Sequence, residues 1–141
     1  MPVTHLTSRR VEFRDTDAGG IMHFSSFFAF MEAAEHELLR TLGLSVHQPV
    51  PAADGGGYIS WPRVSARCDF ISPVKFEDEL QIEVSVARVG TKSVTYAFAM
   101  SHAGRDVAQG EITAVCCRII AGQPPQSIPI PEEIAKLLRG S

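Results

Sequence analysis

The chain has 141 residues, 45% of them hydrophobic and 21% charged, with a formal net charge of -3. That length suits one domain, residues 1–141, with a real buried core, and the balance is ordinary for a soluble globular chain. A slightly acidic chain without a basic stripe is a poor match for nucleic acid, and no run approaches the ~20 apolar residues of a membrane span.

Taken in chain order, Thr4 to Phe13 mixes β-branched and polar residues and reads as a first strand. The opening segment MPVTHLTSRRVEF has no signal-peptide core, so a cytoplasmic protein is the expectation. Phe24, Phe27, Phe28, Met31, Leu38 and Leu42 recur at helical spacing. Ser25 or Ser26 is placed to cap this helix, and Gly43 sits where a C-terminal glycine belongs. Phe30 falls off the main stripe, which makes the N-terminal half apolar on most sides and predicts burial under a sheet. Gln48 to Gly57 is a Pro/Gly loop. Strand-like runs follow at Tyr58 to Ile71, Leu80 to Val89, Ser93 to His102 and Val107 to Ile120, the last three joined by gaps short enough for hairpins. QIEVSVARV and SVTYAFAMSH alternate, which implies one covered and one wetter face. Pro129 to Leu138 predicts a short terminal helix with Pro131 in its first turn. One long helix against an antiparallel sheet is an α+β design.

Chemistry-bearing patterns are few. Cys68, Cys116 and Cys117 are odd in number and lack a ligand spacing, so they read as reduced, buried side chains. Glu32, Glu35 and His36 form E-A-A-E-H, which lacks the second histidine of the zinc-helix patterns and the paired Glu-x-x-His of a di-iron bundle. A solvated helix face is the simpler reading. Gly55 to Gly57 is followed by neither a helix nor a Lys-Ser/Thr pair, so it is no phosphate loop, and no serine elbow occurs.

What remains is DTDAGGIMHFSSFFAFMEAAEHELLR, Asp15 to Arg40, where two carboxylates precede an apolar helix. A period of two would put Asp15 and Asp17 on one side of an extended chain. The pair fits a polar turn in which an aspartate accepts from nearby amides. It also fits acyl transfer, in which a carboxylate attacks or activates water while helix-start amides hold the oxyanion. Gly20 would then permit close backbone approach. The residues alone leave both readings open.

The run VEFRDTDAGGIMHFSSFFAFMEAAE resembles the signature of the 4-hydroxybenzoyl-CoA thioesterase family, and P-V-x-F-x-D-E-L-x-I-E at Pro73 to Glu83 fits as well. The resemblance spans the chain. It implies a hotdog fold: a long central helix wrapped by a curled antiparallel sheet of about five strands. It implies an acyl-CoA thioesterase that needs no metal or organic cofactor, acting as a homodimer or a tetramer of such dimers with sites at the interface. The second acid of D-x-D, Asp17, would be nucleophile or general base, and Asp15 would shape its loop. The oxyanion donors would be amides near His23 and Phe24. Gly20, Ile21 and Met22 would border the substrate, as would Ser60, Trp61 and Pro62 beside the partner's site. The His23 ring would assist, bind the acyl group or pack. Trp61 would line the pocket or serve as packing. Lys92, with Ser93, would meet CoA phosphates or be a solvated turn lysine. Two other readings of the chain stand beside this one: a hotdog hydratase or dehydratase on acyl thioesters, and a non-catalytic acyl-thioester-binding subunit.

Overall fold

The computed structural model describes residues 2–141. β1 (Thr4–Arg10) leads through a short 3-10 turn at Phe13–Asp15 to α1 (Ser26–Thr41). There follow β2 (Gln48–Pro49), β3 (Tyr58–Ser60), β4 (Arg63–Phe70), β5 (Glu79–Val89), β6 (Ser93–His102), β7 (Arg105–Val115), β8 (Cys117–Ile119), β9 (Gln126–Ser127) and α2 (Glu132–Arg139). Five strands form an antiparallel sheet in the order β1-β5-β6-β7-β4, and the short strands form a second sheet, β2-β3-β8-β9.

The long helix and the five-stranded sheet stand as the sequence predicts, but two long strands are each broken in two. Tyr58 to Ile71 is interrupted at Trp61-Pro62, where proline has no N–H to give the ladder. Val107 to Ile120 is interrupted at Cys116, whose amide leaves the ladder for the Lys92 carbonyl (2.7 Å). The fragments beyond the breaks, β3 and β8, pair with each other in the small sheet, which sequence periodicity did not anticipate. The first strand ends at Arg10, short of Phe13, and Pro131 precedes α2 instead of lying in its first turn.

Helix α1 ends as Gly43 predicts. Gly43 has φ +76°, its amide reaches the Arg40 carbonyl (3.0 Å) and the Leu44 amide reaches Leu39 (2.8 Å), the paired bonds of a Schellman motif. Its start is different: neither serine caps it through a side chain onto the helix amides. Met31, Ala34 and Leu38 are fully buried and Phe30 nearly so, in one core with Leu80, Ile82 and Val84 of β5 and Tyr96, Phe98 and Met100 of β6. Gly110 of β7 is the point of closest approach. A Cβ there would lie 2.6 Å from Met31 Sδ and 2.7 Å from the Arg67 carbonyl oxygen. The missing side chain is what lets the sheet close on the helix.

A carboxyl group enters this core. Glu35 of α1 is 1% exposed. Arg63, at the head of β4, donates to its Oε2 (2.9 Å) and lies 2.8 Å from Oε1 as an ion pair without hydrogen-bond alignment. Burial raises the Glu35 pKa from 4.5 to about 6 and outweighs the attraction of Arg63, which lowers it. A raised folded-state value means that the folded chain holds the proton more tightly. The stability from Glu35 is therefore fully present below pH 4.5 and is lost as pH rises through about 6. The difference amounts to roughly 2 kcal/mol, at about 1.4 kcal/mol per unit. We expect that moving from about pH 7 to about pH 4.5 stabilises the wild type relative to Glu35→Gln by up to about 2 kcal/mol, read from urea midpoints. Parallel pH profiles would show that the carboxyl group is solvated.

Candidate active site

Asp17 sits in a tight hairpin between β1 and α1. Thr16 and Met22 pair, the Asp17 amide donates to Ile21 (2.9 Å) and the Gly20 amide returns to the Asp17 carbonyl (3.0 Å). A three-residue loop of this kind needs a left-handed residue at its end, and Gly20 supplies it with φ +84°. Among the described residues no atom beyond Gly20 and its two chain neighbours lies within 4 Å of a Cβ built there, so within this chain the glycine serves the turn and not a close approach. Gly19 is the residue the sequence reading missed. Its amide donates to Asp17 Oδ1 (2.8 Å), and a Cβ there would sit 3.1 Å from that oxygen. The signal was present as D-x-G, an aspartate able to bond the amide two residues on. Asp17 Oδ2 accepts no hydrogen bond among the described residues.

Asp15 has a different task. The chain has already left β1, so strand alternation does not relate the two acids. Asp15 Oδ2 accepts from the Glu12 amide (2.9 Å), while its carbonyl accepts from the His23 amide (2.7 Å) and the Ser26 hydroxyl (3.0 Å). Asp15 thus ties the start of α1 to the loop that carries Asp17.

This alters the expectation for His23 and Phe24. The His23 amide is spent on Asp15, and among the described residues only the Phe24 amide of the pair is without a partner. The His23 ring accepts from the Ser25 amide at Nδ1 (3.1 Å), with the Ser25 hydroxyl at 2.8 Å, and stacks on Phe24. An amide can only donate, so a neutral ring carries its proton on Nε2.

A cavity of about 360 Å³ opens beside Asp17. Its walls are Asp17, Ile21 and Met22 from the hairpin, Phe24 and Phe27 at the start of α1, Phe70 closing β4, and Ile71, Ser72 and Pro73 beyond it. Phe27 and Phe70 meet edge to face (5.2 Å). Phe24, Phe70 and Ile71 are each more than half exposed, an apolar rim of the kind that receives a ligand or a partner. The His23 side chain is not part of the lining.

The remaining expected site residues lie elsewhere. Phe70, at the cavity, pairs with Ala108, whereas Arg63 pairs with Ala114 and Ser93 with Val115. That register puts Ser60, Trp61, Pro62, Lys92 and Ser93 at the other end of the sheet, roughly 20 Å along β7 at 3.2–3.4 Å per residue. Trp61 is buried in the core, so it packs and lines no part of the cavity. A single chain does not bring these residues to Asp17.

Comparison with known proteins follows the same line. A model of the thioesterase-like superfamily (4HBT type) matches residues 11–138. The chain belongs to this superfamily. The 1,4-dihydroxy-2-naphthoyl-CoA hydrolase of Synechococcus sp. strain WH7803 is 30% identical over 139 residues, which cover 95% of this chain and 88% of that protein. A solved gentisyl-coenzyme A thioesterase superposes with a TM-score of 0.80 at 28% identity, over 95% of this chain and 99% of the other. The 4-hydroxybenzoyl CoA thioesterase from Pseudomonas sp. strain CBS-3 superposes equally well (TM-score 0.80, 21% identity, 95% and 98% coverage), which establishes the hotdog fold.

In this thioesterase-like chain the E-A-A-E-H stretch is not simply the solvated face expected, because Glu35 is buried against Arg63. Glu32 (3.4 Å) and Glu35 (2.8 Å) both meet Arg63, and among the described residues no three His, Cys, Asp or Glu side chains gather as metal ligands. Among the described residues no helix is long and apolar enough to cross a membrane. Because the His23 ring is engaged with Ser25, His23→Ala is expected to lower kcat on a thioester by less than about fivefold. A loss beyond about 100-fold would give the imidazole a direct proton-transfer role.

Proposed function

We propose that the chain hydrolyses aromatic acyl-CoA thioesters to the free acid and CoA, with Asp17 as the reacting carboxylate. One observation carries this reading: a carboxylate with an unbonded oxygen lies on the wall of a largely apolar cavity that is also lined by Phe24, just ahead of α1, whose amide is without a partner among the described residues. The aromatic preference rests on Phe24, Phe27 and Phe70 around that cavity, and on the relatives named for dihydroxynaphthoyl- and gentisyl-CoA.

Two routes use the same residue. As nucleophile, an Asp17 oxygen adds to the thioester carbonyl, the C–S bond breaks, the thiolate leaves to become CoA-SH, and water opens the resulting anhydride. As general base, Asp17 takes a proton from water while the water oxygen adds to the carbonyl; the tetrahedral adduct then breaks its C–S bond, and the leaving thiolate takes that proton from Asp17 as CoA-SH. Either way the carbonyl oxygen becomes negative, and the Phe24 amide and the helix start supply donors and partial positive charge for it. Neither route requires a metal or an organic cofactor. The cytoplasmic setting expected from the sequence belongs to the same proposal.

The working unit in this proposal is a homodimer, alone or paired into a tetramer. The edge strand β4 is largely exposed, with Val64 62% accessible, and the cavity rim is apolar. An exposed edge and an apolar rim are the two surfaces a second copy would cover. The distance between Asp17 and Lys92 within one chain then has a purpose. Lys92, Ser93 and the Ser60–Pro62 turn of one copy would serve the Asp17 of another, Lys92 meeting CoA phosphate as a point charge.

Replacing Asp17 with Asn keeps the shape and removes the charge. We expect kcat on an aroyl-CoA to fall at least about 100-fold with KM changed little. Retention of more than about a tenth of the wild-type kcat would remove Asp17 from the centre of the reaction. The shared site is tested by mixing. Neither Asp17→Asn nor Lys92→Ala homo-oligomers should show wild-type kcat/KM, while refolded mixtures should regain part of it, because some sites take both intact residues from different chains. A monodisperse, active monomer by light scattering would contradict the arrangement.

A further inference from the structure

Arg105 opens β7 just after the β6–β7 turn, in which Ala103 (φ +50°) and Gly104 (φ +79°) are both left-handed. A two-residue turn of this type favours Asn or Gly, so Ala103 holds it at some conformational cost. The turn delivers Arg105 to the cavity wall. One guanidinium nitrogen, Nη1, donates both to Ser72 Oγ (2.6 Å) and to the Pro73 carbonyl (2.9 Å), and Ser72 Oγ donates in turn to the Asp106 carbonyl. The Ile71 and Ser72 amides both reach the Val107 carbonyl (2.8 and 3.1 Å). Among the described residues no carboxylate lies within 4.0 Å of Arg105. Its hydrogen bonds go to the wall and not to an ion pair.

The wall is also attached on its other side. The Val74 carbonyl accepts from the Met22 amide (2.7 Å), and Lys75 pairs with Ile21. Residues 71–75 therefore run as a strap from the β6–β7 turn to the hairpin that carries Asp17. Without Arg105 the strap loses the bonds to the Ser72 hydroxyl and the Pro73 carbonyl, so the Ile71 and Ser72 amides, which share the single Val107 carbonyl, open more often, while the attachment to the Asp17 hairpin remains. The wall facing the acyl group is then free to shift while the carboxylate stays in place.

We propose that Arg105 is a positioning residue that sets acyl-group selectivity by fixing the Ile71–Pro73 wall, an inference that rests on this cavity being the acyl pocket. A residue with that role changes which acyl group fits. One that merely supports the fold lowers turnover of every acyl group alike.

The test compares wild type, Arg105→Ala and Arg105→Lys on benzoyl-CoA and 2-naphthoyl-CoA, with amide hydrogen exchange measured on the free proteins. In Arg105→Ala the ratio of kcat/KM between the two substrates should move at least about fivefold toward unity, with kcat on the preferred one within about threefold of wild type. Exchange at Ile71 and Ser72 should quicken at least about tenfold while the core amides of β5 hold their protection. Arg105→Lys, which keeps a donor within reach of one acceptor, should fall between. Unchanged exchange at Ile71 and Ser72 overturns the clamp, whatever the activity. Faster exchange with an unchanged substrate ratio in an active enzyme overturns the selectivity role. A wild type inert to every aroyl-CoA refutes the aroyl-CoA reading, and the selectivity role between these substrates with it, leaving the exchange result to decide the clamp alone.

Discussion

Everything in this molecule depends on how closely α1 approaches the sheet, and that distance is set at Gly110. Any side chain there would run into Met31 Sδ and the Arg67 carbonyl oxygen. The sulfur belongs to a flexible side chain, but the carbonyl is ladder backbone and has nowhere to go. With only hydrogen at that position, β7 bends against the helix and the sheet curls around it. The fully buried Met31, Ala34 and Leu38 follow from that contact. Each large side chain removed from water there contributes about 1.5–3 kcal/mol, which opposes the entropy of ordering the chain.

A seated helix determines where its ends lie. The start of α1 comes to the end of the sheet where β4 finishes at Phe70, and the Phe27–Phe70 contact marks the meeting. The hairpin carrying Asp17 is held against this corner mainly by backbone bonds: Asp15 carbonyl to His23 amide, Met22 amide to Val74 carbonyl. Backbone bonds of this kind do not depend on side-chain rotamers, so the carboxylate is presented with little freedom. The same bonds decide which amide is left for chemistry. Asp15 takes one of two neighbouring donors and leaves Phe24 open.

The core also carries a polar cost. Glu35 is buried more deeply than its partner Arg63, and desolvation outweighs the attraction between them. Such a pair adds little to stability compared with an apolar contact of the same size. It does bind the middle of α1 to the head of β4, the edge strand, at a point where the Trp61-Pro62 break interrupts the ladder. A directional bond there holds the edge strand in register where backbone pairing is interrupted.

The local features can be read directly from the residues. Apolar spacing from Phe27 to Leu38 specifies a helix, Gly43 ends it, alternation in Gln81 to Val89 specifies a half-buried strand, and D-T-D-A-G-G specifies a tight acidic turn ahead of a helix. These are legible because each depends on φ/ψ preference or on periodicity within a few residues. Tertiary structure alone decided which groups meet. The spending of the His23 amide on Asp15, the grip of Arg105 on residues 32 and 33 positions away, the pairing of β3 with β8, and the separation of Lys92 from Asp17 all depend on strand register and helix seating. No local pattern encodes those. Hydrogen bonds between distant backbone groups look the same for almost any side chain, so the sequence leaves no mark of which amide is used and which stays free.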